Sequence, residues 1–256
     1  MKKLMVVALA AMAAAETFAI QGTVITGDDS RTGEIKWQPR AKQYIVSMKK
    51  GSTMVDVEIK VGDVTGLDIP KPQGFDKAVQ MVEEGQGAAA IQVLSKIVSD
   101  YKMLQWDKPA GRYLAMAYIA AGNAQKAYDA CQPIIAEDKS AAYTGELASA
   151  YWQSLLKLGK LEQLEKLLQK ASGSGDRAAS AAAFVMRGDI IVAASNDKPD
   201  ELKRALSEGY LRVVLMYQDP ACARERGEAM QKAALCFDKL GQASRAEALR
   251  TQLKAM

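Results

Sequence analysis

Between Gln21 and about Ile69 apolar and polar residues alternate with a period of two, and from Phe75 onward they recur with the period of a helix. The cleanest alternation is Val55-Asp56-Val57-Glu58-Ile59-Lys60-Val61, which suits a strand with one buried and one wet face. Thr23-Val24-Ile25, Glu34 to Trp37, Gln43 to Met48 and Met54 to Val61 read as strands, rich in β-branched and aromatic residues. A turn-rich stretch from Gly27 to Gly33 follows the first strand, Gly51-Ser52 reads as a hairpin turn, and Val64 to Ile69 offers a last short strand. Five short strands in about 50 residues predict a small SH3-like or other compact β-barrel. Pro70-Lys71-Pro72 ends it, because proline fixes φ and lacks the ladder N–H.

The helical part carries a second, longer period. A glycine followed five residues later by a small or apolar residue recurs as Gly85/Ala90, Gly122/Ala127, Gly159/Leu164 and Gly241/Ala246. The first two intervals are 37 residues each; the third is 82, read as two periods of 41 with a degenerate unit between. Self-similarity at this spacing predicts a solenoid, in which each unit buries its apolar face against the next. Ala178 to Ser195 and Asp200 to Tyr217 are then the helices of the degenerate unit, joined by a longer turn around Asn196 to Pro199. Ser172-Gly173-Ser174-Gly175 is a turn between helices. The expected fold is mainly α, an α-α solenoid preceded by a small SH3-like β domain, α+β overall. Its expected parts are a leader over 1–19, the β domain over 20–70, and about five helical hairpins over 71–256.

Arg112-Tyr113-Leu114-Ala115-Met116-Ala117-Tyr118, followed by Gly122-Asn123 and Ala127, resembles a tetratricopeptide repeat (TPR). Leu114-Ala115, Tyr118 and Ala127 occupy the family's leucine–small, aromatic and alanine places. Ala78, Met81, Gly85, Ala90 and Ile97 take the same offsets in the first unit, and Ala234, Phe237, Gly241, Ala246 and Leu253 in the last. In the third they are Trp152, Leu155, Gly159, Leu164 and Ala171, where Trp152 is bulky at a normally small place. The intervals exceed the family's usual repeat of about 34 residues. TPR proteins hold a peptide on the concave wall made by the first helices of successive repeats. The resemblance therefore implies inward positions at Phe75, Val79, Val82, Arg112, Met116, Ile119, Ser149, Gln153 and Lys157, with Asp189 following if the fourth unit keeps phase. Arg112 and Lys157 would receive a partner's carboxylates, and Phe75, Met116 and Ile119 would supply apolar contact. The alternative is that several of these residues pack against the β domain.

Composition narrows the chemistry. There is no histidine among the 256 residues, which removes the commonest general base and zinc ligand and every Ser-His-Asp or Cys-His arrangement. No catalytic residue, metal site or cofactor is expected. The net charge of +4 comes from 34 basic and 30 acidic residues interspersed along the chain, without the basic tract that nucleic acid binding requires. Cys131, Cys222 and Cys236 read as small buried hydrophobes, with a Cys222–Cys236 bridge as the alternative. Arg187-Gly188-Asp189 spells an adhesion tripeptide but falls inside an expected helix. Lys157, Lys160, Lys166 and Lys170, interleaved with Glu162 and Glu165, read as a solvated face, and Trp106 as a plug between repeats.

Lys2-Lys3, the apolar run Leu4 to Ala15 and Thr17-Phe18-Ala19 have the layout of a cleavable export signal. The apolar run is shorter than the about 20 residues of a membrane-spanning helix, so no such segment is expected in the mature chain. Cleavage is expected after Ala19, or alternatively after Ala15. The expected protein is a periplasmic or secreted, non-enzymatic scaffold whose partner is a protein or peptide of the cell envelope. The alternative is chaperone-like capture of exported unfolded chains. The sequence leaves homo-oligomerisation open.

Overall fold

A computed structural model of the chain describes residues 20–256 except residue 28, so the leader expected over 1–19 lies outside the described residues. Two compact units divide at Pro70 and Lys71.

The first unit is an antiparallel sheet of five strands: β1 (Ile20–Thr26), β2 (Asp29–Gln38), β3 (Gln43–Lys50), β4 (Thr53–Lys60) and β5 (Gly66–Asp68). Their order is β4-β3-β2-β1-β5, so the hydrogen bonding describes an open sheet with β4 and β5 at its edges. Alternation along the strands turns Val24, Ile35, Tyr44, Val46 and Ile59 into its core. The stretch expected as turn from Gly27 to Gly33 is instead mostly strand, since β1 and β2 pair as far as Thr26↔Asp29. Polar residues serve there because they bond across and along the exposed ladder. Thr23 and Thr32 hydroxyls lie 2.8 Å apart, and the Arg31 guanidinium donates to Asp29 at 2.6 Å.

The second unit consists of helical hairpins. The first three are α1 (Phe75–Glu83) with α2 (Gly87–Asp100), α3 (Asp107–Ala120) with α4 (Ala124–Glu137), and α5 (Gly145–Lys157) with α6 (Leu161–Ser172). In the fourth, α7 (Arg177–Ser195) pairs with α8 (Pro199–Ala205), a π turn over Leu206–Tyr210, and α9 (Leu211–Met216), which run on as one irregular helix. The fifth is α10 (Ala223–Lys239) with α11 (Ala243–Lys254).

One turn chemistry joins the helices. Gly85, Gly122, Gly159 and Gly241 all adopt the left-handed conformation, with φ between 68° and 79°. The N–H of the residue after each glycine bonds back into the preceding helix: Gln86 to Met81 O, Asn123 to Tyr118 O, Lys160 to Leu155 O and Gln242 to Phe237 O. These bonds satisfy carbonyls that a helix end otherwise leaves open. The fourth hairpin makes its turn at Asn196, φ 47°, because asparagine tolerates this conformation better than most side chains. Asn196 lies 37 residues after Gly159 and 45 before Gly241, so the interval of 82 divides unequally. The longer turn expected in this unit is absent. Its extra residues lie in the 19-residue α7, the irregular second helix, and the 3-10 turn Pro220–Cys222 before α10.

Five residues beyond the glycines, Ala90, Ala127, Leu164 and Ala246 are fully buried where the paired helices cross. Three apolar clusters follow one another along the unit, the first centred on Leu94 and Leu114, the second on Trp152 and Leu155, the third on Leu202 and Met230. Helix α7 serves two of them, with Ala179, Ala183 and Met186 in the second and Ala181, Val185 and Ile191 in the third. Burial on two sides explains why Arg177–Ser195, at mean hydropathy 1.4, is long and apolar enough to cross a membrane.

Glycine also sets the closest helix approach. A Cβ on Gly209 would lie 2.7 Å from Gly188 Cα and 3.0 Å from Phe184 O, both backbone atoms. Gly209→Ala is therefore expected to force α7 and the π turn apart and to cost about 3 kcal/mol, read as a lowered denaturant midpoint.

Candidate partner-binding groove

Counting back from each turn glycine finds a shared wall. Arg112 and Ser149 stand ten residues before Gly122 and Gly159, and Met116 and Gln153 stand six before them. Equal distance from equal turns gives these residues one helical phase, and α3 and α5 present them to the same groove of about 660 Å³. Glu83 of α1, Arg224, Glu228 and Gln231 of α10, and Leu253 of α11 are among the other residues that line it.

Arg112 is the groove's unsatisfied cation. Its guanidinium lies 5.0 Å from the Tyr113 ring centroid, and its Nε is buried without a hydrogen-bond partner among the described residues. The cation–π contact holds the guanidinium against the ring and leaves its N–H groups to be satisfied. The other charges are partly committed. Arg224 Nε donates to Glu225 at 2.8 Å, and Glu228 accepts from Lys232 Nζ at 2.7 Å. The groove thus combines an available guanidinium, the Gln153 amide, the Ser149 hydroxyl and apolar surface from Met116 and Leu253.

The other expected positions lie elsewhere. Phe75 and Val82 are buried in the first cluster, where the Phe75 ring meets Trp106 at 5.3 Å and Tyr113 at 6.1 Å. Val79 packs half-buried on that cluster, Ile119 on the second, and Lys157 is exposed at the end of α5. Asp189 belongs to an internal network, accepting from Tyr210 Oη at 2.8 Å and Lys232 Nζ at 2.6 Å. Burial raises its carboxyl pKa although both donors pull the other way. Burial works against the Lys232 charge too, but Asp189 and Glu228 outweigh it and hold that ammonium above its ordinary value. This network also absorbs Arg187-Gly188-Asp189 into a helix.

Gln231 was legible, since it stands ten residues before Gly241 as Arg112 does before Gly122. Glu83, Arg224 and Leu253 were not, because no periodic offset says which helix ends meet around the groove.

Among the described residues no group of three or more His, Cys, Asp or Glu side chains could hold a metal ion. Burial also raises the Asp107 pKa, but that carboxylate accepts from the Met103 and Lys108 N–H groups at the start of α3 and, like Asp189, is outside the groove lining. All three cysteines are free and buried. Burial pushes the Cys131 thiol up to about 12 and raises those of Cys222 and Cys236.

No protein-family model matches the chain, and no curated protein matches it. Two solved structures are similar to it, both of nearly identical TPR-like repeats assigned to a Podosopora anserina kinesin light chain. One, a single-residue variant of those repeats, is 16% identical, covers 71% of this chain and 91% of its own, and superposes with a TM-score of 0.41. The other is 16% identical over 71% and 92%, with a TM-score of 0.40.

Proposed function

We propose that this chain is an exported, TPR-type scaffold or adaptor that holds a protein or peptide segment of a cell-envelope assembly in the groove between α3, α5 and α10. The observation that carries the proposal is the convergence of Arg112, Met116, Ser149 and Gln153 on one groove, with the Arg112 Nε buried and unpartnered. A buried donor without an acceptor is costly, and a carboxylate or carbonyl of a bound segment relieves that cost. The signal-like leader supports work in the periplasm, or outside the cell. The work is binding rather than catalysis, in keeping with a chain that has no histidine.

The test is co-purification from envelope extracts of the producing cell. One stoichiometric partner is expected with the natural chain. Arg112→Glu should lower its recovery at least about tenfold, a loss of roughly 1.4 kcal/mol or more. Gln153→Ala should weaken recovery less, and circular dichroism should show both variants folded. Equal recovery with Arg112→Glu would refute the groove as the binding surface. Many unrelated chains in place of one partner would replace the adaptor with a chaperone.

A further inference from the structure

A second recess lies between α6, α7 and the irregular helix α8–α9, and it shares no lining residue with the groove. Its volume is about 500 Å³, within the range of roughly 300–1,000 Å³ typical of ligand pockets. Phe184 and Ile190 of α7 give it apolar surface, with Arg187 one turn along α7 and Arg212 on α9 beside them. Both guanidiniums lie 5.2 Å from the centroid of the single Phe184 ring. Among the described residues neither guanidinium makes a hydrogen bond or an ion pair.

The arginines nearby are already committed. Arg204 is held by Glu201 at 2.9 Å and Glu208 at 3.4 Å. Arg177 lies over Tyr217, beside Phe184, but pairs with Asp219 at 2.8 Å. The available positive charge is therefore concentrated on Arg187 and Arg212. Contact with the ring restricts both side chains without using their N–H groups, so less ordering entropy remains to be lost when an oxyanion binds.

We propose that this recess binds a short acidic peptide segment of a partner protein, placing carboxylates against Arg187 and Arg212 and an apolar side chain over Ile190. Charge complementarity selects that occupant. Two free guanidiniums match one or two carboxylates, whereas Glu165 on the same lining, with Glu208 already paired to Arg204, disfavours an extended anionic surface such as a membrane or a nucleic acid. The recess stands independently of the groove and is tested separately from it.

The experiment follows the arginine Nε–Hε resonances of the 15N-labelled natural chain by NMR. The probe is a short acetylated peptide alternating glutamate and leucine. The controls are the same peptide with glutamine for glutamate, inorganic phosphate, and phosphatidylcholine vesicles containing phosphatidylglycerol. Saturable shifts of the Arg187 and Arg212 resonances are expected with the acidic peptide, and at least about tenfold weaker binding with the glutamine peptide. Arg212→Gln, an exposed position, should weaken binding to the same extent at an unchanged thermal midpoint, and Arg112→Glu should leave it unchanged. Three results overturn the proposal. These are no shift with the acidic peptide, equal shifts with the glutamine peptide, or stronger binding of phosphate or vesicles than of the acidic peptide.

Discussion

Trp152→Ala is expected to destabilise the helical unit by about 4 kcal/mol, in the range of large-to-small changes at fully buried aromatic positions. Trp152 has no exposed surface and is the largest of the fully buried side chains. It stands in α5, which packs on α3, α4 and α7, so a cavity there is walled by several helices and cannot close by moving one. A polar cost adds to it. The indole Nε1–H donates to Ala142 O at 2.8 Å, and the truncated variant leaves that carbonyl without this donor. The same bond explains how a bulky residue fits at a place where the repeat pattern expects a small one. The connection before α5 contains the 3-10 turn Lys139–Ala142, which presents the acceptor. Trp152→Phe, which keeps most of the ring volume and loses the donor, should cost about half as much. Both values come from denaturant titrations followed by circular dichroism. A loss below about 1 kcal/mol for the alanine variant would mean that the second cluster does not depend on this side chain.

Lys232→Met is expected to cost about 3 kcal/mol, because removing one partner of a largely buried ion pair leaves the other charge uncompensated. The side chains of Lys232 and Asp189 are 24% and 15% exposed, and the ammonium also reaches Glu228. Among the described residues Asp189 would keep only the Tyr210 hydroxyl as a side-chain donor, in surroundings that already disfavour its charge. Adding Asp189→Asn removes that charge while retaining an acceptor for Tyr210, and should recover most of the loss. A double variant no more stable than Lys232→Met would show that the lysine acts through packing of its stem instead of through its charge.

The elements that could be read from the sequence are those fixed by local chemistry. Left-handed glycines ended four first helices on schedule, and residues at equal offsets from them reached the same wall. The fourth turn is legible as a break at Asn196 to Pro199 but not as a position of the repeat, because Asn196 does the work of a glycine and does not look like one. Counting it would have divided the interval of 82 into 37 and 45. Phe75 also stands ten residues before its turn glycine, yet it is drawn into the core by Trp106 and Tyr113. Asp189 is taken up by Tyr210 and Lys232, which lie 21 and 43 residues further along the chain. Neither capture leaves a local signal. The strand from Asp29 was read as turn because Asp29, Ser30 and Gly33 are turn formers by composition, and cross-strand pairing overrides that preference.

The most direct measurement is photo-crosslinking in intact producing cells from a benzoylphenylalanine placed at Arg112, at Gln153, and at Lys126 on the exposed side of α4 as a control. Adducts to one dominant envelope protein from positions 112 and 153, and none from 126, are the expected result. Adducts from 126 with none from 112 or 153 would contradict the proposal that the wall of first helices is the working surface.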